Sequence, residues 1–97
     1  MTILPIGTVV NLKNTIEMPV MIIGYFPYNE NGDSKDYVSV RYPMGAYDNK
    51  MFFFFNHEDI ERIIFYGYSD DSFVSMAKLI ESQAEIKPNS LFSKDQH

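Results

Sequence analysis

The run Met51-Phe52-Phe53-Phe54-Phe55 constrains the fold of this chain more than any other segment. Five consecutive apolar residues between polar stretches are typical of a strand that is apolar on both faces. A strand of this kind leaves a large apolar patch in water unless each of its faces is covered. The sequence therefore predicts that the outer face is covered either by the C-terminal helix of the same chain or by a second protein.

Four other segments have the pattern of short strands. Residues 37–42 show it most clearly, because Val38, Val40 and Tyr42 alternate with more polar residues in the period of two expected for a half-buried antiparallel strand. Turn signals such as Asn31-Gly32 separate the segments. The predicted strands are residues 8–12, 20–28, 37–42, 51–55 and 60–68. Their number and spacing predict a small antiparallel sheet or a partly open barrel.

An amphipathic helix is predicted after the last strand. Ser69 has the character of a helix N-cap, and Asp70 and Asp71 would lie in the first turn, where the helix dipole favours acidic groups. Apolar residues then recur at helical spacing at Phe73, Met76, Ala77, Ile80 and Ala84. The sequence thus predicts an α+β fold in which residues 1–86 form one domain, with a helix at about 70–86 packed on the sheet. Residues 87–97 are predicted to be a flexible tail.

Composition excludes several classes of protein. The formal net charge is −5 and the eight Lys and Arg residues are scattered, so the basic stripe of a nucleic-acid-binding protein is missing. The chain has no cysteine, and it has no apolar run near the roughly 20 residues that membrane insertion requires. Residues 1–10 lack the basic start and long apolar core of a signal peptide. We therefore expect a cytoplasmic protein.

The cluster Asn56-His57-Glu58-Asp59 is the strongest candidate for chemistry, since His, Glu and Asp can form a metal site or an acid–base pair. Neighbours in sequence mostly point in different directions, and the second histidine, His97, is the last residue. A structural turn, with Asn56 as cap and Asp59 reaching back, is the better interpretation. We predict no catalytic residue, no metal site and no cofactor, and hence that the protein is not an enzyme.

Aromatic residues in excess of what one helix can cover indicate a protein-binding surface, because aromatic side chains dominate interface cores. The residues predicted to bind a partner are Phe53, Phe55, Ile64, Tyr66, Tyr68 and Phe73. The glycines have an architectural interpretation: Gly7 and Gly45 in turns, and Gly24 where the second strand bends or another backbone approaches.

Five segments in order carry a resemblance to a known family. They are Leu4-Pro5-Ile6-Gly7-Thr8-Val9-Val10, Met21-Ile22-Ile23-Gly24, Asp36-Tyr37 with Tyr42-Pro43-Met44-Gly45, Phe54-Phe55-Asn56-His57-Glu58-Asp59-Ile60, and Phe65-Tyr66-Gly67-Tyr68. Across about residues 4–74 the chain resembles the small Gram-positive bacterial proteins of domain-of-unknown-function family 4176. Members of that family tend to be encoded beside type VII secretion systems and LXG-domain toxins.

The resemblance implies an adaptor or chaperone that binds an LXG toxin before export, and it carries over no catalytic residue. Two other functions stay open from the residues themselves. An immunity protein that neutralises the catalytic domain of a toxin would suit the acidic charge. A small ligand- or RNA-binding barrel fits the predicted strands, although such barrels generally carry basic residues on the binding face.

Overall fold

The computed structural model describes residues 2–13, 15–27, 32–48 and 51–82. This part of the chain contains five strands, a short 3-10 turn at His57–Asp59 and one α-helix. The strands are β1 (Val9–Leu12), β2 (Thr15–Tyr25), β3 (Tyr37–Arg41), β4 (Phe52–Phe55) and β5 (Ile60–Phe65), and the helix is α1 (Asp71–Ser82). The predicted tail at 87–97, the end of the predicted helix at 83–86 and Tyr28 lie outside the described residues.

The five strands form one antiparallel sheet in the order β4-β3-β2-β1-β5. β4 and β5 are its two edges, so the sheet is open and is not closed into a barrel. The predicted α+β class, with five antiparallel strands and a C-terminal helix, is confirmed. Because the chain passes from one edge strand to the other between β4 and β5, the turn at His57–Asp59 crosses the end of the sheet.

The helix α1 packs on one face of the sheet, which we call the inner face. Its buried residues Ala77 and Ile80 belong to the same core cluster as Val10, Ile22 and Phe55. The apolar stripe predicted for the helix is therefore the stripe that it buries, with Phe73 and Met76 partly buried at its margin. The N-terminal segment adds Ile3 and Leu4 to this core.

The opposite face, which we call the outer face, follows from the strand registers, since directly paired residues point to the same side of a sheet. One row across it runs Phe65–Val9–Met21–Val40–Phe52, and a second runs Gly24–Val38–Phe54. Val9 and Val40 are buried, yet they are not part of the core cluster beneath α1. The sheet therefore has apolar residues on both sides, and α1 covers only one of them.

β2 begins at Thr15, five residues before its predicted start at residue 20. In the sequence, Pro19 argues against a strand that begins before residue 20, because proline lacks the N–H that a central strand needs. In the structure Pro19 lies just beyond Val20↔Arg41, the last pair between β2 and β3, and its carbonyl accepts the Tyr42 N–H at 2.9 Å. Pro19, which has no N–H to donate, thus lies at a point where β3 has already ended.

The other predicted boundaries differ by smaller amounts. β5 ends at Phe65 and not at residue 68, because the next residues turn towards the N-terminal segment. Asp70, not Ser69, caps α1: its carboxylate accepts the Phe73 N–H at 3.0 Å and its carbonyl accepts the Val74 N–H. An Asp at this position satisfies a free helix N–H and also places negative charge at the positive end of the helix dipole.

Because Phe55 and Phe54 lie on opposite faces of β4, we expect their truncation to alanine to lower the free energy of unfolding by different amounts. Replacing Phe55, which is buried in the core, with alanine is expected to lower the free energy of unfolding by about 3–5 kcal/mol, because a large cavity is left. The neighbouring Phe54→Ala is the matched control, with an expected loss of about 1 kcal/mol or less. Urea denaturation of the two variants measures both values, and equal losses would contradict the assignment of the faces.

Candidate protein-binding surface

The structure divides the phenylalanines of β4 between its two faces. Phe55 is 3% exposed and belongs to the core, and Phe53 is partly buried against it, with the Arg41 guanidinium 5.3 Å from its ring centroid. The assignment of Phe53 and Phe55 to a partner-binding surface does not fit these positions. Phe52 and Phe54, which are 41% and 38% exposed, are the residues of this strand that face outwards.

This difference has a simple physical reason. In a run of four identical residues the period of two is invisible, so the sequence of β4 does not indicate which set faces inwards. The register with β3 decides it, because Tyr37 is fully buried and pairs with Phe55. Phe73, in the first turn of α1, is partly buried and packs against the core, so it too is on the inner side.

The other predicted contact residues are exposed. Ile64, Tyr66 and Tyr68 have exposed fractions of 46%, 51% and 78%. Phe65, which was not among the predicted residues, is exposed as well and lies at the β5 end of the longer outer row. The end of β5 and the segment after it thus present a cluster of large apolar side chains at one edge of the sheet.

Together these positions define the outer apolar surface: Phe52 and Phe54 on β4, the partly buried Val38 and Met21 between, and Phe65 on β5. Phe52 and Phe65 lie on the two edge strands, at opposite ends of the longer outer row. Sequence reasoning missed three of these residues, Phe52, Phe54 and Phe65. The alternation of β3 gives no such signal, because it would place the valines in the core, whereas in the structure Tyr37 and Ser39 face the core.

Two glycines fix how the cluster on β5 sits against the N-terminal segment. Gly7 has a φ of +94°, a conformation that L side chains rarely adopt. Gly67 packs so closely on this turn that a Cβ atom there would lie 2.8 Å from the Thr8 nitrogen. The Gly67 N–H also donates to the Thr8 hydroxyl at 3.0 Å. Tyr66 and Tyr68 therefore flank Gly67, which is fixed against the N-terminal segment.

Gly24 and Gly45, the other glycines with predicted structural roles, act in different ways. Gly24 lies on the outer face after a register shift in β2, and a Cβ atom there would be 2.9 Å from a methyl group of Val38. Its missing side chain lets Val38 pack flat against the sheet. Gly45 has a φ of +75° in the turn after β3, and its N–H donates to the Arg41 carbonyl at 2.7 Å.

The cluster Asn56-His57-Glu58-Asp59 forms a tightly bonded turn. The Asn56 N–H donates to the Asp59 carboxylate at 2.9 Å, while the Asn56 side-chain oxygen accepts the Asp36 N–H at 3.1 Å. The His57 N–H donates to the Asp36 carboxylate at 2.8 Å. Within the described ranges, no three His, Asp or Glu side chains are grouped as a metal ion would require. These polar groups hold the start of β3 against the end of β4.

The Tyr37 hydroxyl joins this turn to the N-terminal segment. It accepts the Leu4 N–H at 3.1 Å and lies 2.8 Å from His57 Nδ1, to which it donates when that nitrogen carries no proton. The Tyr25 hydroxyl donates to the Leu4 carbonyl. Burial, the largest cause, raises the pKa of Tyr25 to about 12, and it raises the pKa of Tyr37 further above its ordinary value.

The sequence model of the family described as Domain of unknown function (DUF4176) matches residues 3–76 of the 97. The chain belongs to this family. No curated protein matches it, and no solved structure does. Within the residues that the structure describes, we find no helix both long and apolar enough to span a bilayer.

Removal of one hydroxyl tests the link between the turn and the N-terminal segment. The Tyr37→Phe variant leaves the buried Leu4 N–H without its acceptor, and we expect the free energy of unfolding to fall by about 1–3 kcal/mol. Tyr68→Phe, at a highly exposed position, is the control and is expected to change it by less than about 0.5 kcal/mol. Chemical denaturation of both variants gives the comparison, and an unchanged Tyr37→Phe would contradict the role of this hydroxyl.

The raised tyrosine pKa values predict lower stability in alkali. Below pH 10 the two hydroxyls are neutral in both states, so their contribution is complete. Above it the unfolded chain loses protons that the folded chain keeps, so the free energy of unfolding falls as pH rises towards about 12. Urea denaturation at several pH values should show a shallower fall for Tyr25→Phe. Tyr68→Phe is the control and should show the same dependence on pH as the wild type. If the free energy of unfolding of Tyr25→Phe fell as steeply as that of the wild type, the raised pKa of Tyr25 would be contradicted.

Proposed function

We propose that this protein is a non-enzymatic, cytoplasmic accessory factor that binds another protein, and that its partner is an LXG-type toxin of a type VII secretion system. In this role it acts as an adaptor or chaperone before export. The observation that carries the protein-binding part is the outer apolar surface. Large exposed apolar patches on one face of a sheet are typical of interaction sites.

The composition of that surface supports an interface rather than an incidental patch. Phe52, Phe54 and Phe65 are aromatic, and aromatic residues are enriched in protein interfaces relative to the rest of the surface. Met21 between them adds a flexible side chain that adapts to the shape of a partner. Tyr66 and Tyr68 extend the aromatic surface around the β5 edge, with hydroxyl groups suited to a rim.

The polar residues favour a non-enzymatic role. His57 and Asp36 are the groups best suited to acid–base chemistry, and the bonds they make hold a turn and a buried tyrosine. The identity of the partner rests on the family resemblance, which links these proteins to LXG toxins. The acidic charge of −5 also suits an immunity protein that covers a basic toxin domain, which makes immunity the second candidate.

Co-expression with an LXG toxin, followed by affinity purification, tests the proposal. We expect a stable complex, and Phe52→Ala or Phe65→Ala should weaken it by about 2 kcal/mol or more if each is a central contact. Leu79→Ala is the matched control, because Leu79 is an exposed apolar residue on α1, on the other side of the sheet. Its complex should keep the wild-type affinity.

The bound region of the toxin separates the two candidates. Binding to the N-terminal LXG domain supports the adaptor or chaperone, and binding to the C-terminal catalytic domain with loss of toxicity supports immunity. A toxin that fails to co-purify with the wild-type protein would overturn both. Equal weakening by Leu79→Ala would place the interface elsewhere.

A further inference from the structure

Among the described residues no strand pairs with the outer edge of β4, and β4, although only four residues long, carries no charged side chain, proline or bulge. Exposed edges are usually interrupted by charged residues, proline or bulges. β5, the other edge, carries Glu61 and Arg62 and has two register shifts against β1. The residues of β4 are all phenylalanine, and its four pairs with β3 run without a shift. β4 therefore presents a regular, uncharged edge.

The backbone groups on that edge can be assigned from the hydrogen bonds of β3. The Asp36 carbonyl accepts the Phe26 N–H, and the Tyr42 N–H donates to the Pro19 carbonyl, so the even-numbered residues of β3 direct their polar groups to β2. The odd-numbered residues then face β4, in agreement with the Ser39 hydroxyl, which donates to the Phe53 carbonyl at 2.9 Å.

Since the direction alternates along a strand, Phe53 and Phe55 bond to β3, while Phe52 and Phe54 direct their N–H and C=O groups to the open edge. The same two residues have their side chains on the outer apolar surface. An added strand would therefore bond to Phe52 and Phe54 and set every second side chain beside their rings.

We propose that an extended segment of the partner protein adds to the sheet along β4 as a sixth strand. The inference rests on the proposed protein-binding function and specifies how that binding occurs. The segment has apolar side chains at alternate positions, which continue the outer apolar surface, and a lysine or arginine where it passes the Phe55 end of β4.

The negative charge near β4 favours a segment of another protein over a second copy of this chain as the added strand. At the Phe55 end of β4, Asp36, Asn56, His57 and Glu58 line an open cleft of about 410 Å³. Two of these four residues are carboxylates, so the cleft favours a cationic side chain. A second copy would instead bring another net charge of −5 to the same edge, and the two copies would repel each other.

The direct test uses the full chain and a fluorescein-labelled peptide of alternating valine and threonine with lysine at both ends. Fluorescence anisotropy should show saturable binding. The same peptide N-methylated at every valine and threonine, so that no residue along its strand can donate to the edge or approach it, should bind at least about tenfold more weakly. Glu58→Gln should weaken binding of the lysine peptide and leave a peptide with serine ends unaffected.

A proline on the edge tests the protein side of the contact. The Phe54 N–H faces the open edge, so Phe54→Pro removes an edge donor and keeps the bonds to β3. It should weaken peptide binding at least about tenfold, and more than Phe54→Ala, which removes the ring and keeps the N–H. Phe52→Pro is the second variant if circular dichroism shows that Phe54→Pro does not fold.

Four results would overturn the proposal: equal binding of the N-methylated peptide, no binding of any peptide up to about 1 mM, a toxin complex that survives both proline variants, or a wild-type dimer that either proline variant dissociates. The last result would make a second copy the occupant of the edge. A toxin complex that survives both proline variants removes the edge as its binding site and leaves the proposed function intact. Peptide binding without any toxin complex removes the proposed partner alone.

Discussion

The hydrogen bond from the Leu4 N–H to the Tyr37 hydroxyl links parts of this fold that lie far apart in the sequence. The ring of Tyr37 is fully buried beside Phe55, with 5.2 Å between the ring centroids, and its hydroxyl also reaches His57. One side chain therefore connects the N-terminal segment, the central part of the sheet and the turn between β4 and β5. A buried hydroxyl is costly without partners, so this position is stable only when all three parts are in place.

The same residue determines which side chains of β3 and β4 lie on the outer face of the sheet. With Tyr37 inside, Ser39 is inside as well, and its hydroxyl is satisfied by the Phe53 carbonyl. Val38 and Val40 must then lie on the outer face with Phe52 and Phe54. The more polar side of β3 faces the core because its polar atoms are bonded there, and the apolar side lies on the outer face.

Much of the fold could be predicted from the sequence, because the strands and the helix have strong periodic patterns. The stripe from Phe73 to Ile80 predicted the buried side of α1, since its period matches a helix. The same inference is not possible for β4, because in four identical residues no alternation distinguishes the inner side chains from the outer ones. The start of β2 and the close packing of Gly67 depend on contacts between distant segments, namely β3 ending beside Pro19 and the turn at Gly7. Such contacts leave no local signal in the sequence.

The acidic charge and the exposed aromatic residues are best understood together. A chain of 97 residues with a single described helix on its sheet has little means of covering a second sheet face, and its net stability is small. Polar residues at Phe52 and Phe54 would leave the core beneath α1 unchanged, since neither residue belongs to it. Their exposure carries a risk of self-association, and a net charge of −5 opposes that risk by repulsion between copies. The same repulsion disappears for a neutral or basic partner, so the charge separates self-pairing from binding to another protein.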